Sequence, residues 1–319
     1  MIQSLFGPMA YLKTFGPRAD PATALLWGMI ILSVTVVAII TVLAVVGVVV
    51  RRHHGHIAQM AALPVARGAS GLAWFIIGMP LTVAALVGAL VWTVAVLAAV
   101  DSPARRPRLT IEVTGHQWWW EVRYLNDAAD QTFVTANEIH IPTNQPVMIR
   151  LIGADVIHSF WLPGLGGKTD VIPGQINVTW LQADRPGEYR GQCAEYCGVQ
   201  HAHMAVSVVA EPPAAFAAWR RAQVLPAGAA ASPGEALFVA RCGACHTVRG
   251  TGAGGIAGPD LTHLMSRATL AAGAVANTAG GLAGWIADPQ AIKPGARMPA
   301  TYLSGPQLTA TVAYLETLK

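Results

Sequence analysis

Residues Cys193-Ala194-Glu195-Tyr196-Cys197-Gly198-Val199-Gln200-His201-Ala202-His203-Met204 carry the densest chemistry in the chain. Two thiols, an imidazole and a thioether fall within 12 residues. Sulfur ligands with imidazole suit copper, and a methionine ligand is foreign to zinc. Two cysteines four apart in a loop can bridge two metal ions. The plainer alternative is a Cys193–Cys197 disulfide beside a surface histidine. The ordered series C-x-E-x-C-x-x-x-H-x-x-M favours the metal. A further strong ligand must come from another strand end, and His158 in Asp155-Val156-Ile157-His158-Ser159-Phe160-Trp161 is the candidate.

The surroundings of this loop read as β-structure. Short apolar or alternating runs occur at Leu109–Val113, Trp118–Tyr124, Glu138–Ile141, Val147–Ile152, Ile176–Leu181 and Ala205–Val209. Turn signals separate them, such as Pro142-Thr143-Asn144, Pro173-Gly174 and Arg185-Pro186-Gly187. That spacing predicts a sandwich or barrel ending near Glu211. Pro212–Gln223 reads as a short amphipathic helix that closes a domain over 102–224. An Ala-, Gly- and Pro-rich run over 225–233 reads as a linker that permits many poses of the C-terminal residues.

Upstream, composition points to a membrane. Charged residues are 12% of the 319-residue chain, against about 25% in an average soluble domain. Pro21–Val50 and Gly68–Val100 contain no Asp, Glu, Lys or Arg. Each exceeds the roughly 20 apolar residues that cross a bilayer, so 21–101 holds two spans, about 22–50 and 72–100. Residues 1–20 form a polar lead, with Gly and Pro where a signal peptide needs an apolar core. Arg51, Arg52 and Arg67, with His53, His54 and His56, put the connecting turn in the cytoplasm. Both termini and everything after 101 are then outside. Arg105, Arg106 and Arg108 oppose this, but large domains translocate largely regardless of charge. Net charge is only +4, and no basic block with interleaved aromatics suggests nucleic acid.

Downstream, 234–319 reads as a compact helical unit. Cys242-Gly243-Ala244-Cys245-His246 is the C-x-x-C-H signature of covalent haem attachment. Two thiols add to the haem vinyl groups and the histidine sits below the iron. A second axial ligand is expected downstream. Met298, in Arg297-Met298-Pro299, stands 52 residues beyond His246, and Met265 is the rival. A thioether ligand raises the haem potential. These assignments use all four cysteines.

The motifs Gly115-His116-Gln117-Trp118-Trp119-Trp120, Ala136–Pro142, Asp155–Pro163 and Cys193–Met204 resemble, in order, those of subunit II of the haem–copper cytochrome c oxidases. The C-terminal unit resembles a class I cytochrome c through Cys242–His246, Gly258-Pro259-Asp260-Leu261 and Arg297–Pro299. The resemblance implies a multidomain architecture: a two-helix transmembrane hairpin, an all-β cupredoxin-like Greek-key barrel and an all-α class I cytochrome c domain. It also implies a binuclear copper A centre. Cys193 and Cys197 would bridge, His158 and His201 would bind terminally, and Met204 would bind weakly. Glu195 would ligate through its carbonyl, with its carboxylate on a magnesium shared with subunit I. Trp118 would be the electron-entry residue, and Pro259 would accept the His246 N–H. His116, His140 and His203 receive no ligand role.

The implied function is electron transfer from reduced cytochrome c or another donor, through haem c and copper A, to subunit I of a bacterial inner-membrane oxidase. Subunit III would be a further partner. Oxygen reduction in that proton-translocating complex belongs to subunit I. One departure stands out. The family places a glutamate three residues before a tryptophan at the start of the second span, and here Gly71 precedes Trp74. That keeps a second reading, the electron-entry subunit of a copper-A-type nitric oxide reductase. A third, a stand-alone membrane-tethered carrier, conflicts with Gly- and Ala-bearing helices suited to packing on others.

Overall fold

The computed structural model describes residues 9, 12–53, 71–126, 128–228 and 232–319. The cytoplasmic turn expected between the spans, with His54, His56 and Arg67, lies outside them.

The chain divides into two compact units, residues 21–101 and residues 1–20 with 102–319. The first consists of α1 (Asp20–His53) and α2 (Gly71–Asp101). Both contain stretches long and apolar enough to cross a membrane, Asp20–Val49 and Phe75–Asp101. Leu43, Leu81 and Leu86 each expose more than 60% of their surface. Such continuous apolar surface suits lipid rather than water. The polar groups inside are satisfied locally: Thr35, Thr41, Thr82 and Thr93 each donate to the carbonyl four residues back at 2.8–2.9 Å. Lipid offers no alternative acceptor. Gly28 leaves room for the Trp92 ring, which any Cβ at that position would strike. Pro80 sits within α2.

The second unit contains two five-stranded sheets. Its first strands are β1 (Leu109–His116), β2 (Trp119–Tyr124), β3 (Phe133–Ala136), β4 (Glu138–Pro142) and β5 (Val147–Gly153). They continue as β6 (His158–Trp161), β7 (Thr169–Val171), β8 (Ile176–Leu181), β9 (Gly187–Cys193) and β10 (Ala205–Glu211). One sheet has the order β3-β2-β1-β5-β8 and the other β4-β10-β9-β6-β7. The period-2 rule explains the sandwich: Ile111 and Val113 on β1, and Ile149 and Leu151 on β5, are fully buried and alternate with half-exposed residues. Trp120, Tyr124, Phe160, Ile139 and Ile141 complete the core.

The helix α3 (Pro213–Val224) covers this sandwich with Phe216 and Trp219. The Trp219 ring stacks on His140 at 4.0 Å. His140 itself lies between Glu138 and Glu211, each 3.0 Å from a ring nitrogen. The polar N-terminal lead packs on the sandwich at Phe15. Phe15 donates to the Gly164 carbonyl, accepts from the Asp184 N–H, and packs against Tyr189 with ring centroids 5.5 Å apart. Strands β3, β6, β7 and β9 were not anticipated from the sequence. They are short, or carry Gly and polar residues where alternation needs apolar ones.

The helical part has α4 (Pro233–Arg241), a small hairpin of β11 (Thr269–Leu270) and β12 (Val275–Ala276), then α5 (Ala279–Ala287), α6 (Pro289–Ile292) and α7 (Gly305–Leu315). Ser232, Thr278 and Asp288 cap α4, α5 and α6 with their side chains, satisfying first-turn N–H groups. Phe238, Leu282, Ile286, Val312 and Leu315 form a core separate from that of the sandwich. Gly234 lets α4 approach α7 at Ala310 and Tyr314.

The connection between sandwich and helices is pinned where the sequence suggested a free linker. Arg249 donates to the carbonyls of Gln223 (2.5 Å) and Val224 (3.0 Å), and Ala227 N–H donates to Arg249 O. The His263 ring lies 3.0 Å from the Leu225 carbonyl and 2.7 Å from that of Lys319.

Candidate metal centres

Strand pairing assembles the first centre. β9 lies between β10 and β6. Phe160 on β6 registers with Cys193, the last residue of β9, and Ala194 N–H donates to Ser159 O. His158, at the start of β6, therefore stands beside the loop that joins β9 to β10. That loop is closed by Cys193 N–H donating to Met204 O at 2.9 Å.

Within it the donors converge. The Cys193 and Cys197 sulfurs are 3.7 Å apart. A disulfide needs about 2.05 Å, and no disulfide joins any of the chain's four cysteines. Cys193 Sγ lies 4.0 Å from His158 Nδ1 and 3.3 Å from the Glu195 carbonyl. Cys197 Sγ lies 3.6 Å from His201 Nδ1 and 3.8 Å from Met204 Sδ. His158, Cys193, Cys197 and Met204 are all buried. Two sulfurs at the centre, an imidazole on each, and a thioether and a carbonyl at the periphery make a donor set for a pair of soft cations.

The surrounding electrostatics favour a thiolate at Cys193 and a thiol at Cys197. The hydrogen bond from Cys197 pushes Cys193 well down, and Cys197, whose proton is shared in that bond, is pushed up. Burial opposes a charged His158, but Cys193 and Asp155 outweigh it and the net shift is upward. Asp155 has no role that spacing alone reveals. Its carboxylate lies 2.9 Å from His158 Nε2 and accepts from the Gln117 and Val156 N–H groups at 2.7 and 2.8 Å. A carboxylate on the far nitrogen fixes the tautomer and leaves Nδ1 facing the sulfurs.

Trp118 sits on this loop. Its indole Nε1 donates to the Cys197 carbonyl at 2.9 Å, and Gln117 Nε2 donates to the same oxygen at 2.8 Å. The Gln117–Trp118 peptide is cis. Of the neighbouring tryptophans, Trp120 belongs to the sandwich core and Trp119 stacks on His116 at 4.5 Å. The Glu195 side chain is exposed. His203 lies 2.6 Å from Gln200 Oε1.

The second centre is built on the end of α4. Cys242 caps the helix, and the chain turns so that the Cys245 and His246 N–H groups return to the Cys242 carbonyl. The Gly-rich loop folds over this turn through Gly255 N–H to Gly243 O and Gly258 N–H to Cys245 O. A side chain at Gly258 would strike the His246 ring, so glycine allows that loop to lie flat on the imidazole. His246 Nδ1 is 2.8 Å from the Pro259 carbonyl, which directs Nε2 away from the loop. Burial pushes His246 down, toward the neutral form that binds iron. These features fit a covalently held haem. Met298 lies between α6 and α7, its carbonyl accepting from Gln290 Nε2 at 2.9 Å. Met265 packs against the helical core.

The two centres share a border that the sequence did not reveal. Lys293 Nζ donates to the Trp118 carbonyl at 2.6 Å and to the Ala271 carbonyl at 3.0 Å. Gln200 Nε2 donates to Pro294 O, Ala205 N–H to Ala272 O, and Ala268 N–H to Glu138 Oε2. Arg297 is 3.7 Å from Asp155. A single lysine in a Gly- and Pro-rich loop gave no pattern by which this could be read.

The comparisons with known proteins agree with this layout. Residues 125–211 match the family described as cytochrome c oxidase subunit II, periplasmic domain, and residues 231–319 match the cytochrome c family. The chain is 40% identical over 215 residues to cytochrome c oxidase subunit 2 of Alkalihalophilus pseudofirmus, covering 66% of this chain and 61% of that protein. It thus spans about six tenths of that relative. Cytochrome c oxidase subunit 2 of Bacillus subtilis is 31% identical over 268 residues, 78% of this chain and 74% of that one. Among solved structures, the periplasmic domain of subunit II of cytochrome oxidase from Bradyrhizobium japonicum is 34% identical. It aligns with 38% of this chain and 96% of that one, at a TM-score of 0.35.

Proposed function

The chain belongs to the cytochrome c oxidase subunit II family, with a cytochrome c domain at its C-terminus, and from that premise we propose that it is the electron-entry subunit of a terminal oxidase in a bacterial cell membrane. It would take electrons from reduced cytochrome c or another donor and pass them, by way of haem c and copper A, to subunit I, where oxygen becomes water. The observation that carries this reading is the convergence of four donors, from His158, His201, Met204 and the Glu195 carbonyl, on the Cys193 and Cys197 sulfurs 3.7 Å apart.

In this reading bound copper and haem supply one-electron chemistry, and the protein supplies fixed geometry. Cys193 and Cys197 would hold the copper pair together with His158, His201, Met204 and the Glu195 carbonyl. Asp155 orients His158. The Cys193–Met204 backbone bond holds the loop closed, which limits rearrangement when charge changes. Cys242 and Cys245 would hold the haem, His246 and Met298 would bind its iron, and Pro259 orients His246. Trp118, bonded to the Cys197 carbonyl, is the entry residue to the copper centre. The exposed Glu195 carboxylate would serve a magnesium shared with subunit I. The two spans anchor the subunit, with both termini and both redox parts on the outer side, and subunit III completes the assembly.

Gly71 at the start of α2, where the family carries glutamate three residues before tryptophan, favours a second reading, electron entry to a copper-A-type nitric oxide reductase. Gas consumption by the purified native complex separates the two. Fast oxygen uptake with negligible nitric oxide turnover is expected; the reverse would keep the ligands and reassign the reaction.

A further inference from the structure

Trp118 is only 8% exposed, although the electron-entry role assigned to it above calls for access. Its cover is the loop between α6 and Met298. A Cβ placed on Gly295 would come within 3.5 Å of the Trp118 ring and 3.3 Å of Val199, so this loop lies directly on the indole and on the copper loop. Gly295 has φ +86°, a conformation that glycine adopts without strain.

The cover is fastened by Lys293. Its side chain is buried, 3% exposed. Its two hydrogen-bond acceptors are the carbonyls of Trp118, in the sandwich, and Ala271, in the β11–β12 turn. Burial pushes its ammonium down to about 7. Charged or neutral, the nitrogen can donate to both oxygens. Among the described residues Lys293 has no ion-pair partner within 4.0 Å, and an unpaired lysine is a costly way to fill a core. At this place it joins the haem-binding part to the residue bonded to Cys197.

Resting on the reading of the two centres given above, we infer that Lys293 is the positioning residue that holds the haem-binding part against Trp118, so that the copper loop is closed to soluble donors and served by the chain's own haem. Gln200, bonded to Pro294, is the subsidiary fastening.

Two amides report the docking without reference to any cofactor. Ala205 N–H and Ala268 N–H each donate across the border, to Ala272 O and Glu138 Oε2. In the purified native complex, Lys293→Met leaves two buried carbonyls without their donor. The cost of such a loss lowers protection of these two amides from hydrogen exchange by about ten- to a hundredfold. Core amides at Val122 and Leu315 keep theirs. The small outer-sphere reductant hexaammineruthenium(II), unable to reduce the copper band ahead of the haem band in the parent, now does so directly.

Unchanged protection at Ala205 and Ala268 would overturn the inference. If Lys293→Met also strips protection from the core amides, Gln200→Ala decides. A smaller loss confined to the border amides supports the fastening, and no loss overturns it. Absence of the copper or haem bands from the parent complex would instead sink the functional reading, and the amide measurement would still judge Lys293.

Discussion

The copper loop and the haem turn solve the placing of metal ligands differently. In the sandwich, the ladder does the work. One residue pair, Phe160 with Cys193, and one closing bond, Cys193 to Met204, set five side chains within 4.0 Å of one or other sulfur. In the helical part, the proposed ligands His246 and Met298 are steadied by separate neighbours, the Pro259 carbonyl and Gln290. A small cation pair demands that donors meet, so the fold must bring them together. A large planar cofactor spans its own ligands, so the fold need only orient each end. The first centre is therefore sensitive to any donor, and the second degrades by steps.

Substitutions can break or sharpen that contrast. The largest effect is expected from Cys197→Ser, which removes one of the two central sulfurs. The near-infrared copper A band disappears and the haem spectrum stays; survival of the band would return the cysteines to a structural role. Met298→Ala is expected to be partial. Haem remains covalently bound while its midpoint potential falls by roughly 0.1 V or more, inside the range of about 0.8 V that axial ligands command. An unchanged potential in a redox titration would transfer the ligand role to Met265.

The smallest effect concerns the border between the two parts. Burial opposes a charged Glu138, but its bonds with His140 and the Ala268 N–H outweigh that, and its net shift is downward from the usual 4.5. A carboxyl lowered on folding contributes stability that is complete above its unfolded value and is lost as the pH falls through the folded one. The thermal midpoint should therefore fall more steeply below about pH 4.5 in the parent than in Glu138→Gln. Parallel acid limbs would show that this carboxylate does not hold the border.

Much of this molecule was legible because its chemistry is local in sequence. The spans follow from uncharged runs, and strands such as β8 from alternation. Cys193–Met204 and Cys242–His246 are motifs in which spacing itself implies the cluster. Asp155 was not legible, because its bonds to His158 and to the Gln117 N–H appear only once the chain is folded. The border was not either, since its bonds run between Lys293 and the carbonyls of Trp118 and Ala271. A carbonyl acceptor leaves no mark in a sequence, because every residue has one. Composition suggested a free linker over 225–233 for the same reason. Ala, Gly and Pro suggest freedom, yet Arg249 and His263 hold the backbone oxygens of this join and its approach.

His263 has one more consequence. One ring nitrogen meets Leu225, where the helical part is entered, and the other meets Lys319, at its far end. The approach to the segment matched to cytochrome c, 231–319, and the last residue of that match thus share a single imidazole. A segment whose ends are adjacent can be added to a gene, or cut from one, without the chain having to cross its host. The arrangement has the character of a plug-in cassette: a cytochrome c domain joined at one corner, with a clasp built into its own histidine.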